Sequence, residues 1–178
     1  EAHNRIGDGL QQLGYLDKAI KSYKIATEKN PNFSEAYNNL GNVFKEIGHL
    51  DEAVESYKKA LEINPDYPAL HNNLGNAYEQ LGRLDDAVKS YSNALIYNPD
   101  FADSHNNLGV ALFKLGQQDE AINSYKRAIA INPNLAKAYN NLGNVYKSLE
   151  QLEDAVKSYK KAIEINPKLY EVYNNLGL

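Results

Sequence analysis

Histidine and asparagine are the residues whose type and spacing first suggest chemistry. His3, His71 and His105 hold the same place in a recurring pattern, and imidazole is a common ligand of divalent metals. A metal site needs converging ligands, usually paired three or four residues apart on a helix. These histidines lie 34 or 68 residues apart. They are expected to pack, partly buried, where an aromatic ring could stand. Cysteine is absent, which removes thiolate metal sites, disulfides and a thiol nucleophile together. With no glycine-rich phosphate loop and no convergent nucleophile–base–acid set, the chain is expected to be non-catalytic, with no metal and no cofactor. A single sequon, Asn32-Phe33-Ser34, bears only on a secreted chain.

The asparagines follow a pattern of their own. Pro31, Pro65, Pro99, Pro133 and Pro167 recur every 34 residues. Counting each as position 1, Asn fills position 8 in six repeats (Asn4, Asn38, Asn72, Asn106, Asn140, Asn174). It fills position 9 in five (Asn39, Asn73, Asn107, Asn141, Asn175) and position 12 in three (Asn42, Asn76, Asn144). Fourteen of the 23 asparagines thus fall on three positions, where a codon bias would scatter them. Asn is a mediocre helix former because its amide competes for backbone partners, so a placement this regular needs a reason. A primary amide offers two donors and an acceptor without net charge, which suits bidentate pairing with a peptide backbone. It suits bonding between neighbouring amides equally well.

The elements that position these amides follow from the same period. Residues 31–64, 65–98, 99–132 and 133–166 are four full repeats, 1–30 a partial one, and 167–178 the start of a sixth. A fixed period of this size marks a stacked array, so 1–178 reads as one all-α array. Each repeat carries two amphipathic patterns, helix A over about positions 4–17 (34–47) and helix B over about 21–33 (51–63). Gly14, Gly48, Gly82 and Gly116 separate them at position 18, suited to a left-handed helix end. Glu150 takes that place in the fifth repeat, where a longer or strained turn is expected. An acid at position 21 is placed to cap helix B or oppose its dipole, and Asn-Pro ends it. Position 11 is always Gly and position 27 always Tyr. A helical Gly costs ~1 kcal/mol relative to Ala, so another element should approach the backbone there, with Tyr filling the space.

These residues resemble the tetratricopeptide repeat. In the second repeat Tyr37, Leu40, Gly41, Phe44, Ala53, Tyr57 and Pro65 fall on its consensus positions. The pattern recurs as His71, Leu74, Gly75, Tyr78, Ala87, Tyr91, Pro99, and as His105, Leu108, Gly109, Leu112, Ala121, Tyr125, Pro133. The fifth repeat gives Tyr139, Leu142, Gly143, Tyr146, Ala155, Tyr159 and Pro167. The resemblance implies an α-solenoid of about eleven antiparallel helices in a right-handed superhelix, with A helices lining the concave face. At 100° per residue, positions 5, 8, 9, 12 and 16 then share the groove side, opposite positions 7, 10, 11 and 14. The position-9 ladder is similar to that of O-linked N-acetylglucosamine transferases, where it contacts bound polypeptide. That likeness implies peptide contacts by Asn39, Asn73, Asn107, Asn141 and Asn175, with Arg5 breaking the ladder in the first repeat. Asn38, Asn72, Asn106, Asn140, Asn42, Asn76 and Asn144 line the same side. Amide bonding between adjacent A helices remains the alternative role, and the two are compatible. A second use of the family, a clamp for a chaperone's C-terminal carboxylate, would fall on Asn72, Asn76, Asn107, Lys137 and Asn141. Two of its three cations are missing, so that use is not expected.

Repeat four departs from the pattern with Val110 and Phe113, an apolar spot suited to anchoring a side chain. Lys114, Lys137 and Lys147 lie near it, whereas Glu35, Glu46, Glu79 and Asp103 make the earlier groove acidic. The expected partner is a protein or peptide in extended conformation. A net charge of −4 offers no field for nucleic acid, and no apolar run approaches the ~20 residues of a membrane span. The opening at Glu1 suggests a fragment of a larger protein, and without a targeting signal the cytoplasm is expected. The other reading is a scaffold that self-associates end to end, because Tyr173 and Leu176 have no following helix B to pack on.

Overall fold

The computed structural model describes residues 1–176; Gly177, last of the repeated glycines, and Leu178 lie outside the described residues. Eleven helices and no strand occur among the described residues, giving an all-α solenoid of helix hairpins. The chain divides into two compact units, Glu1–Tyr97 and Asn98–Leu178. The first holds α1 (Ala2–Gln12), α2 (Leu16–Lys29), α3 (Ser34–Glu46), α4 (Leu50–Ile63), α5 (Pro68–Gln80) and α6 (Leu84–Tyr97). The second holds α7 (Ala102–Lys114), α8 (Gln118–Ile131), α9 (Ala136–Ser148), α10 (Leu152–Ile165) and α11 (Tyr170–Leu176). Odd-numbered helices are A helices and even-numbered ones B. Within each unit an A helix packs on its own B helix, each B helix on the next A helix, and successive A helices touch.

The glycine–tyrosine pairing is the centre of every hairpin. A Cβ on Gly41 would stand 2.7 Å from Tyr57 Cε1, and one on Gly75 only 2.5 Å from Tyr91 Cε1. The same overlap recurs at Gly7, Gly109 and Gly143 against Tyr23, Tyr125 and Tyr159. The ring of each helix B lies directly on the backbone of its helix A, which is the close approach that the helical glycine makes possible. These five tyrosines are among the largest fully buried side chains, and Tyr159 shares its buried cluster with Ala155 and Ala162.

The A–B turns share one geometry. Gly14, Gly48, Gly82 and Gly116 have φ between +73° and +81°. The residue after each closes a six-to-one bond onto helix A, such as His49 N–H to Phe44 O at 2.8 Å. This is the Schellman end of a helix. The fifth turn keeps the length and the bond, Gln151 N–H to Tyr146 O at 2.9 Å. Glu150 reaches it only by entering the left-handed region, at φ 59°. The turn is strained and not lengthened. Helix B begins one residue earlier than its sequence pattern suggests, so the position-21 acids Asp51, Asp119 and Glu153 sit inside the first turn without capping bonds. Their contribution is to the helix dipole. In the B–A turns Asn30, Asn98, Asn132 and Asn166 accept a bond from the backbone two residues on, which accounts for asparagines outside the helix-A pattern.

The position-7 histidines pack as expected. His71 is buried, stacks on Tyr97 with ring centroids 5.5 Å apart, and sets Nε2 2.8 Å from Pro65 O. A carbonyl only accepts, so Nε2 carries the proton. His105 repeats this contact with Pro99 O, while His3 Nε2 meets Lys29 Nζ. Among the described residues no group of acids and histidines is placed to hold a metal. Among the described residues no helix is long and apolar enough to cross a membrane.

Candidate functional site

The asparagines of helix A meet at the seams between successive A helices. Within each unit the position-9 amide reaches back to the position-8 amide of the preceding repeat. Asn39 Nδ2 donates to Asn4 Oδ1 at 3.3 Å and Asn73 Nδ2 to Asn38 Oδ1 at 3.1 Å. In the second unit Asn141 donates to Asn106 at 3.0 Å and Asn175 to Asn140 at 3.1 Å. Inter-repeat bonding, one of the two roles open in the sequence, is thus realised. Asn4, Asn106 and Asn140 are buried in doing so, as is Asn72, whereas Asn38 is half-buried. Asn174 on the last helix is exposed, but at Asn4, Asn38, Asn106 and Asn140 position 8 lies in the seam. Its own N–H groups go to position 5 of the next repeat where an acid stands there, as in Asn4 to Glu35 and Asn140 to Glu171, both 3.0 Å. Otherwise they turn to the neighbouring amide, as in Asn38 to Asn39 and Asn106 to Asn107.

Position 12 anchors the buried tyrosines. Tyr57, Tyr91 and Tyr159 hydroxyls donate to Asn42, Asn76 and Asn144 Oδ1 at 2.7, 2.8 and 2.7 Å. In the first repeat Tyr23 donates instead to Asp8 and Gln11. Burial pushes the Tyr57 and Tyr91 hydroxyls well above the usual tyrosine range; at Tyr23 burial acts first and the Asp8 carboxylate adds to it. The hydroxyls are therefore held as donors. Asp8, Glu35 and Glu171 are seam members that the asparagine count passes over. Their signal is positional, an acid at position 12 or 5, and too sparse to stand out alone.

The ladder amides differ in how far the seam uses them. Asn39 and Asn175 each donate twice, the second bond going to position 12 of the preceding repeat, Asp8 and Asn144, both at 3.0 Å. Asn39 and Asn107 also accept from position 8. Asn73 and Asn141 make only the position-8 bond. Each keeps one N–H and the whole carbonyl oxygen outside the seam. Among the described residues no buried side-chain polar atom lacks a partner, so the unbonded carbonyl oxygen of each has access to solvent, and both residues are half-buried. Val110 and Phe113 are half-buried on α7, and Lys137 on α9 is exposed without an ion pair.

The comparisons agree with this architecture. The chain matches the family described as TPR repeat over residues 7–48, 41–82, 80–116 and 111–150, and that described as Tetratricopeptide repeat over 136–169. A search of the curated proteins finds no match. Among solved structures, MamA superposes with TM-score 0.85 at 31% identity, covering 93% of this chain and 97% of that one. YrrB, described as a TPR protein with an unusual peptide-binding site, does so with TM-score 0.81 at 25% identity over 99% and 91%. TTC0263, a thermophilic TPR protein in Thermus thermophilus, gives TM-score 0.76 at 28% identity over 98% and 95%. With the repeat phase, the glycine–tyrosine hairpins and these matches in agreement, the chain belongs to the tetratricopeptide-repeat family, a fold of protein-interaction modules.

Proposed function

We propose that this chain is a non-catalytic module that binds extended polypeptide across its A helices, through amides that the seams leave unsaturated. The observation that carries the reading is the state of Asn73 and Asn141, one in each unit. Each is half-buried, is fixed by a single seam bond, and leaves one N–H and its carbonyl oxygen outside that bond. A donor and an acceptor on one planar group match the C=O and N–H of an extended backbone, and pairing of that kind is indifferent to the ligand's side chains. Because the seam holds each amide, little rotamer entropy is lost on binding. Asn39, Asn107 and Asn175 line the face beside them. The buried position-8 amides and Asn42, Asn76 and Asn144 hold the ladder in register. The peptide-binding site named for YrrB is in keeping with this reading.

The test begins by capturing partners on the immobilised chain and identifying them by mass spectrometry. Asn73→Ala/Asn141→Ala is then compared with the parent by calorimetric titration against the captured partner, with helicity checked by circular dichroism. At least tenfold weaker binding in a folded variant is expected, since two bidentate pairs are lost, each worth ~1 kcal/mol. Unchanged affinity with intact helicity would remove the ladder from recognition.

A further inference from the structure

The seam between α7 and α9 departs from the α1–α3 and α9–α11 seams in three ways, and shares with α3–α5 only the missing position-5 acceptor and the singly bonded ladder amide. At the α9–α11 seam, position 5 is Glu171, which accepts from Asn140, and position 12 is Asn144, which accepts from Asn175. The α1–α3 seam does the same with Glu35 and Asp8. At α7–α9, position 5 is Lys137, which cannot accept, and Asn106 turns its N–H to Asn107. Position 12 is Val110, so the second N–H of Asn141 has no seam acceptor. At the α9–α11 and α1–α3 seams position 15 reaches across with polar groups, Lys147 Nζ to Asn175 O and Gln11 Nε2 to Glu46. Here it is Phe113. The result is a half-used amide with a half-buried apolar pair on one side and an unpaired cation on the other.

We infer that the α7–α9 seam selects its ligand's side chains: Val110 and Phe113 take a bulky aliphatic residue, and Lys137 takes a neighbouring acidic one. The inference rests on the ladder reading above, since the backbone must lie over Asn141 for its side chains to fall on either hand. In an extended chain successive side chains point to opposite sides. A backbone held at Asn141 therefore directs one residue toward Val110 and Phe113 and the next toward Lys137. Position 12 is level with Asn141 in the register seen at Asn144 and Asn175, and position 5 lies about one helical turn away, ~5 Å. That span suits adjacent side chains on opposite sides of a strand. The apolar pair excludes water from the aliphatic contact, and the lysine, free of any carboxylate of its own, supplies the complementary charge. Selectivity is thus set where the seam has given up its own acceptors.

The experiment uses the full chain and fluorescent Gly-Ser peptides of about nine residues, ~30 Å when extended, whose central pair is Leu-Glu, Ser-Glu, Leu-Lys or Ser-Ser. Polarisation titrations should show Leu-Glu bound about tenfold more tightly than either Ser-Glu or Leu-Lys. The variants place residues that other repeats carry at the same positions, so each is compatible with the fold. Val110→Asn with Phe113→Lys should remove the preference for Leu and keep that for Glu; Lys137→Glu should invert the charge preference and keep that for Leu. If all four peptides bind alike, and Asn73→Ala/Asn141→Ala abolishes that binding, the side-chain inference is wrong while the ladder stands. If no peptide binds, or if the ladder variant binds as the parent does, the ladder reading fails and takes this inference with it.

Discussion

Each hairpin rests on a few side chains whose roles are separable at the residue scale. Asn42 accepts from the fully buried Tyr57 hydroxyl. Asn42→Ala strands that donor, which costs about 1–3 kcal/mol, whereas Tyr57→Phe removes the donor and its desolvation together and should cost less. Urea unfolding of both variants and of the double variant tests this order; a larger loss in Tyr57→Phe would mean that the hydroxyl contributes more than its bond to Asn42. Glu150 presents the opposite case. Its φ of 59° is a left-handed conformation that costs a residue with a Cβ roughly 1–2 kcal/mol. Glu150→Gly relieves it but adds freedom to the unfolded chain, so a net gain near ~1 kcal/mol is expected, a thermal midpoint a few degrees higher. An unchanged or lower midpoint would show that the strain relieved does not exceed the entropy that glycine adds to the unfolded chain.

At the scale of the element, the seam between A helices is the unit of design, and its bonds predict unequal costs along one ladder. Asn39 satisfies both Asn4 and Asp8, while Asn141 satisfies Asn106 alone. Asn39→Ala should therefore cost about 1 kcal/mol more stability than Asn141→Ala, and equal losses in chemical denaturation would contradict the seam assignments. The hairpins themselves were legible in the sequence. The 34-residue phase, the Gly–Tyr contact and the turn glycines are local signals repeated in register, and each was found where its residues pointed. The seam was only half legible. A helical wheel puts positions 8, 9 and 12 on one arc, and it carries no information on the neighbouring helix. The stagger that closes position 8 against position 9 of the next repeat, and leaves Asn73 and Asn141 half-used, exists only once two A helices are side by side. The capping role open to the position-21 acids failed for a simpler reason, since helix B starts one residue sooner.

The whole molecule repeats one titratable device, and this makes its stability depend on alkaline pH. The Tyr23, Tyr57, Tyr91 and Tyr159 hydroxyls are all pushed above the ordinary tyrosine value, chiefly by burial. A folded-state pKa above the unfolded one means that the unfolded chain gives up its protons first. The contribution is complete below the unfolded value near 10 and is lost progressively as pH rises above it toward the folded values. Because the group sits on the same glycine in every hairpin, the losses sum along the chain. Helicity should stay level from neutral pH to about 10 and then fall steeply, with a step in tyrosinate absorbance from the buried hydroxyls accompanying the fall. Lysine deprotonation overlaps this range and also removes surface pairs such as Lys59–Glu62, which are worth little when exposed. Tyr57→Phe separates the two. It deletes one buried hydroxyl without touching a lysine, so the alkaline slope should become shallower while stability at neutral pH falls only modestly. If the variant and the parent lose stability with the same slope, the tyrosines do not govern the transition.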